Sequence, residues 1–124
     1  MSQVAPFLLA ALGGAIGAAA RYGVNLALLR SDGFPAATIT VNLVGCFLIG
    51  LLLGAGNGPG LALSSRALLA TGVLGGFTTF SAFAYELHSL LGDAPWTALG
   101  LALLQVVAGV LLVGIGAVCR QALA

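Results

Sequence analysis

Residues 72–83 read GVLGGFTTFSAF and lie in the middle of a hydrophobic segment long enough to cross a membrane. Gly75-Gly76 followed by Thr78-Thr79 continues a helix poorly in lipid, because paired glycines expose the backbone and hydroxyls compete for backbone hydrogen bonds. Non-helical backbone at membrane depth is tolerated only where protein or a water-filled cavity covers it. We therefore predict a helix broken near the bilayer midplane. A glycine-kinked packing helix is the alternative that these residues leave open.

The composition is that of a membrane protein. Of the 124 residues, 60% are hydrophobic and only 6% are charged. Four apolar runs reach the length of about 20 residues that crosses the hydrocarbon layer: they lie at about 6–29, 35–55, 67–91 and 95–118. The first run has no positively charged region before it and no cleavage site, so it is predicted to be a span and not a signal peptide. The prediction is an all-α membrane protein, with one four-helix transmembrane domain over residues 1–124.

Several classes of function are not expected from this sequence. A net charge of +1 provides no basic patch for nucleic acid. Cys46 and Cys119 match no metal-ligand spacing, and buried small apolar side chains are the simpler interpretation. The sequence has no Ser-His-Asp set and no phosphate-binding loop, so enzymatic chemistry has no support.

The arginines are balanced between the two loop faces. Arg66 and Arg120 belong to the face that holds both termini, and Arg30, with Arg21 near the same helix end, belongs to the other. Because positive charge sets the orientation of membrane proteins, this balance predicts almost no preference. Insertion in both orientations, and hence an antiparallel homodimer, is the hypothesis that follows. The short chain also predicts that any ion pathway is built by an oligomer.

Four polar or aromatic features of the spans could handle ions. Thr78 lies about eleven residues into the third span, or about 17 Å deep, where free carbonyls suit a small hard cation. Asn42 either bonds to a neighbouring helix or donates to an anion. The Phe77, Phe80 and Phe83 row either faces lipid or turns positive ring edges to an anion. Arg21 either reaches the interface or lines an aqueous vestibule.

Three motifs resemble one family: GGFTTFSAF in the third span, TVNLVGCFLIG in the second and GAAARYGV in the first. They are similar to those of the Fluc (CrcB) fluoride-channel family, over essentially the whole chain. The resemblance implies a passive fluoride exporter in the inner membrane of a prokaryote. It also implies an antiparallel, dual-topology homodimer with two fluoride pores and a central structural Na⁺.

The resemblance also assigns roles to particular residues. Na⁺ would be held by backbone carbonyls of Gly75 and Thr78 from both subunits. The remaining matches are pore residues: Asn42, Phe80, Phe83, Thr79, Ser81 and Arg21. One departure is the fourth span, where the family commonly has a line of hydroxyls but this chain offers only Thr97 and Gln105. Some family members pair unlike subunits, so a paralogous partner remains an alternative to the homodimer.

Other transport mechanisms and a non-transporting role are the alternatives to the channel. A small proton-coupled four-helix exporter would need a carboxylate deep in the first helix, and this chain has none there. A proton-coupled fluoride antiporter would need an embedded titratable group, and Glu86 and His88 are predicted to be peripheral. An accessory packing protein would explain the glycines but not the polar residues of spans two and three.

Overall fold

The computed structural model of the chain describes residues 4–54 and 60–123. These residues form four helical spans and no strand, as the hydropathy predicts. The elements are α1 (Val4–Ala27), α2 (Ala36–Leu53), α3 (Leu63–Ser65), a π-helical segment (Arg66–Leu74), α4 (Gly75–Phe77), α5 (Phe80–Leu90) and α6 (Pro95–Leu123). The third span, Leu63–Leu90, comprises the elements from α3 to α5.

Some helices end at other residues than the apolar runs predict. Helix α6 continues to Leu123, five residues beyond the predicted end, because Arg120 and Gln121 are compatible with a helix. Arg120 Nη1 donates to the Leu52 carbonyl and so satisfies the C-terminal end of α2. The third span begins earlier than predicted, since α3 runs directly into the π-helical segment. The glycine-rich residues 56–60 connect the second and third predicted spans, and of these only Gly60 is among the described residues.

The four spans pack as two pairs, and glycines allow the close contact within each pair. Helix α1 packs on the third span, and α2 packs on α6. A Cβ on Gly72 would lie 2.8 Å from Gly13 Cα, and one on Gly17 would overlap the Val73 carbonyl oxygen. Likewise, a Cβ on Gly50 would overlap the Val113 carbonyl oxygen. The small-xxx-small spacing thus brings backbones into direct contact, which is the main packing device available between helices in lipid.

The loop between α1 and α2 is fixed by an exposed ion pair. The Asp32 carboxylate accepts hydrogen bonds from Arg30 Nε at 3.0 Å and from the Phe34 N–H at 3.1 Å. These bonds, that from Arg30 foremost, lower the pKa of Asp32 to about 2. Asp32 therefore stays ionised well below neutral pH, and its contribution to the loop is lost as the pH falls through that value.

Candidate ion pathway

The third span is not helical at Thr78 and Thr79. Thr78 has φ −86° and ψ 160°, and Thr79 has φ −154° and ψ 123°, which are extended conformations. Helix α5 begins at the next residue, and the Thr79 hydroxyl caps it by accepting from the Ala82 N–H at 3.2 Å. The two threonines therefore divide the span into two helical parts. The C-terminal end of α4 and the N-terminal end of α5 both adjoin this two-residue segment.

Asn42 of α2 binds this segment through both the oxygen and the nitrogen of its side-chain amide. Its Oδ1 accepts from the Thr79 N–H at 2.8 Å, and its Nδ2 donates to the Thr79 carbonyl at 2.9 Å. Gly45, about one turn further along α2, leaves room for Thr78, because a Cβ there would overlap the Thr78 methyl group. The predicted donation from Asn42 to an anion is thus limited to its second N–H, since the first is bonded to Thr79.

Several backbone groups beside the break keep their hydrogen-bonding capacity. In the described part of the chain, no backbone bond outside the helices reaches the carbonyl oxygens of Gly75 or Thr78. The same holds for the N–H groups of Phe80 and Ser81 in the first turn of α5. The intervening carbonyl of Gly76 accepts from Arg21 Nε at 3.0 Å. Free acceptors and free donors therefore lie within a few residues of each other.

An open-sided groove of about 380 Å³ runs past the break. Its walls come from α2, the third span and α6. The lining residues are Asn42, Gly45, Cys46, Ile49, Ala70, Leu74, Gly75, Thr78, Thr79, Phe80, Phe83, Gln105 and Val106. Phe80 is 80% exposed and Phe83 only 5%, and their rings meet edge to face with centroids 6.4 Å apart.

The groove brings together six of the eight residues that the resemblance singled out. These are Asn42, Thr79, Phe80, Phe83, Gly75 and Thr78. Ser81 does not line it, although Ser81 Oγ lies 3.4 Å from Thr79 Oγ1. Arg21 does not line it either, since its Nε is bonded to Gly76. This bond places a positive charge at the C-terminal end of α4, where the helix dipole favours one.

Sequence reasoning missed the contact between Thr38 and Glu86 and the place of Gln105 in the groove. Glu86 accepts from the Thr38 hydroxyl at 2.7 Å, and its Oε2 is buried without a partner among the described residues. Thr38 lies one turn before Asn42 on α2, and this spacing was the available signal. Gln105 lines the groove with its Nε2 buried and unpartnered. Its isolation within an apolar helix was the corresponding signal.

A family model described as "CrcB-like protein, Camphor Resistance (CrcB)" matches residues 8–117. This match covers most of the chain. The chain belongs to the CrcB family. Its four apolar helical spans agree with a multi-pass membrane protein.

Relatives of this CrcB-family chain carry the name "Fluoride-specific ion channel FluC". One from Chlorobium phaeobacteroides is 48% identical over 101 residues, covering 75% of this chain and 74% of the relative. One from Hyphomonas neptunium is 48% identical over 99 residues, covering 77% and 78%. One from Chloroflexus aurantiacus is 48% identical over 111 residues, covering 86% and 87%. These names describe ion channels, so the family is not one of enzymes.

Proposed function

We propose that this chain is a fluoride-selective, passive ion channel that exports cytoplasmic fluoride across the inner membrane of a prokaryote. The observation that carries the proposal is the Asn42-anchored break beside Phe80, in a chain whose relatives are named fluoride channels. The groove is the proposed ion pathway.

The chemistry of the groove suits a small, strongly hydrated anion. Such an ion enters only if hydrogen-bond donors replace the water that it loses. The free donors are the second N–H of Asn42 and the N–H groups of Phe80 and Ser81. The helix dipole at the start of α5 adds positive potential, and the exposed Phe80 ring can present its positive edge. The pathway is thus suited to an anion without a formal positive charge on its wall.

A second copy of the chain would close the open side of the groove. The balanced arginines support an antiparallel, dual-topology homodimer, in which each copy contributes one groove and the assembly has two pores. The exposed Phe80 at the mouth of the groove would gain a neighbour in this arrangement. A paralogous subunit of opposite orientation is the alternative partner.

The carbonyls at the break fit a Na⁺ ion shared by the two copies. Gly75 and Thr78 each offer a carbonyl oxygen that no described backbone N–H uses, and hard cations prefer oxygen ligands. The described residues contain no cluster of His, Cys, Asp or Glu that would compete for a metal. When bound, the ion would supply positive charge near the anion pathway. The carbonyls of Gly75 and Thr78 from both copies would hold it.

Efflux of fluoride from liposomes tests the proposal. Purified protein is reconstituted into vesicles loaded with potassium fluoride, with equal pH on both sides and valinomycin present to carry the balancing charge. We expect rapid efflux of fluoride and no comparable efflux from chloride-loaded vesicles. Absence of fluoride efflux above that of protein-free vesicles would contradict the proposal.

A proton-coupled fluoride antiporter is the second candidate, and Glu86 favours it. This carboxylate is part-buried and accepts a hydrogen bond from the Thr38 hydroxyl. In the same vesicles, an antiporter would require a proton gradient for net accumulation and would lose coupling in Glu86→Gln. A channel would conduct without the gradient, and Glu86→Gln, which keeps an acceptor for the Thr38 hydroxyl, would conduct too.

A further inference from the structure

A second open-sided groove, of about 300 Å³, lies between α2, the π-helical segment and the end of α6. We call it the leucine groove, and it is lined by Arg120 and by six apolar side chains: Leu48, Leu51, Leu52, Leu69, Val73 and Leu74. Leu74 lies close to the break, whereas Arg120 lies in the last turn of α6. Residues 63–74 extend about 16 Å along the third span, which is roughly half of the hydrocarbon thickness. The leucine groove therefore runs through about one leaflet of the membrane.

Arg120 is fixed at the membrane edge of the leucine groove by the end of α2. Its Nη1 donates to the Leu52 carbonyl. A Cβ on Gly54 would lie 2.8 Å from Arg120 Cδ, so the glycine leaves the room that the arginine stem occupies. A guanidinium has five N–H donors, and in the described part of the chain the Leu52 carbonyl is the single acceptor that Arg120 meets. The other donors are therefore available to a ligand.

The positive charge of Arg120 is not balanced on its own face of the membrane. The segments 1–3, 54–66 and 118–124 contain Arg66 and Arg120 but no Asp or Glu. Among the described residues, the salt bridge is that between Arg30 and Asp32, which lies on the opposite face. Uncompensated positive charge at a membrane surface attracts anionic lipids. A zwitterionic lipid would bring an ammonium group as well, and this face has no carboxylate side chain to receive it.

We propose that the leucine groove binds an anionic phospholipid, with an acyl chain along the leucines and the phosphate on the Arg120 guanidinium. Basic pockets between membrane helices are typical sites for anionic headgroups, and the planar fork of arginine matches two phosphate oxygens. The length of the leucine groove suits a chain of one leaflet, because its apolar wall ends near the midplane at Leu74. The lipid site goes beyond the proposed channel and does not depend on fluoride conduction.

Native mass spectrometry of the detergent-purified chain tests the lipid site. Dioleoylphosphatidylglycerol is the anionic probe, and dioleoylphosphatidylcholine, with the same acyl chains, is the zwitterionic comparison. We expect the parent chain to bind the anionic lipid about fivefold or more tightly. Arg120→Gln removes the charge and keeps an N–H donor for the Leu52 carbonyl, so it should lose this preference. Leu69→Trp fills the leucine groove and should weaken binding of the anionic lipid.

The chain offers a matched control for each variant. Arg66→Gln makes the same change in net charge on the same face, and Arg66 does not line the leucine groove. Leu12 of α1 is 56% exposed and does not line it either, so Leu12→Trp adds the same bulk elsewhere. Both control variants should bind the two lipids as the parent chain does.

A preference for the anionic lipid that Arg120→Gln and Leu69→Trp lose, and that both controls keep, supports the lipid site. Equal binding of the two lipids by the parent chain overturns it, and so does an Arg120→Gln protein that binds lipid as Arg66→Gln does. If Arg120→Gln does not fold, the comparison of Leu69→Trp with Leu12→Trp decides. The same spectra report the oligomeric state: loss of a dimer in Leu69→Trp alone would show that a second copy occupies the leucine groove, which also overturns the lipid site. Because no ion flow is measured, either result leaves the channel proposal to its own test.

Discussion

Individual residues at the break divide into those that hold it and those that present a surface to the groove. Asn42 holds it, because both polar atoms of its amide are bonded to Thr79. Phe80 presents a surface, because its ring is 80% exposed and its main ring contact is with Phe83. Substitutions at these positions should therefore separate loss of structure from loss of conduction.

Phe80→Ile should reduce fluoride efflux by about tenfold or more without a change in thermal stability. The ring edge that faces the anion is lost, while little buried area is affected. Phe7, on α1, is similarly exposed at 74% and does not line the groove, so Phe7→Ile is the control. Equal efflux from the two variants in the liposome assay would argue against a pore role for Phe80.

Asn42→Ala should lower both efflux and stability. The substitution leaves the Thr79 N–H and carbonyl without their side-chain partner, which we estimate to cost about 1–3 kcal/mol. The melting temperature in detergent should fall, in contrast to Phe80→Ile. An Asn42→Ala protein that melts as the parent does would show that Asn42 does not hold the break.

At the scale of the elements, close glycine contacts hold α1 against the third span. A Cβ at Gly17 would overlap the Val73 carbonyl oxygen, while one at Gly14 would meet nothing within 4 Å. Backbone atoms cannot move aside as the end of a flexible side chain can. The two glycines are three residues apart on α1, Gly17 buried and Gly14 half-buried, and they form a pair in which only one lacks room for a side chain.

Gly17→Ala should destabilise the fold, and Gly14→Ala should not. Overpacking of this kind costs about 1–3 kcal/mol, whereas an alanine in open space inside a helix is neutral or slightly favourable. Thermal melts followed by circular dichroism measure the difference. Similar melting temperatures for the two variants would contradict the close packing of α1 on the π-helical segment.

The elements were predictable from the sequence to different degrees. Four apolar runs of span length predict four helices, because a helix satisfies its own backbone hydrogen bonds in lipid. Thr78 and Thr79, singled out in the sequence, have extended conformations, whereas Gly75 and Gly76, which were also expected to disfavour a helix, lie within α4. The partner of Glu86 and the place of Gln105 in the groove were not predictable, because periodicity describes one helix and not the rotation of its neighbour. The Thr38–Glu86 bond joins residues 48 positions apart, which no local pattern encodes.

At the scale of the whole molecule, the single chain leaves a groove open and carbonyl oxygens unused at the same place. Both features would be accounted for by a second copy that covers the groove and shares a cation. Because Gly75 is exposed while Thr78 is half-buried, the shared site would lie at the surface of each copy. Assembly and the cation are therefore expected to depend on each other.

Replacement of Na⁺ by the large cation N-methyl-D-glucamine should weaken the dimer. In the proposed dimer, loss of the ion would leave carbonyl oxygens of both copies close together without the charge that offsets their repulsion. Protein purified without Na⁺ should yield less of the cross-linked dimer, and restored Na⁺ should recover it where the organic cation does not. A dimer fraction that is the same in both cations would contradict the shared site.

The most direct test of the proposed channel is the reversal potential in a planar bilayer with unequal fluoride on the two sides. A passive pore reverses at the Nernst potential of fluoride, and a pH gradient imposed across the same bilayer leaves that potential unchanged. We predict this result for the parent chain. A reversal potential that moves with the pH gradient, or the absence of any fluoride current, would contradict the account.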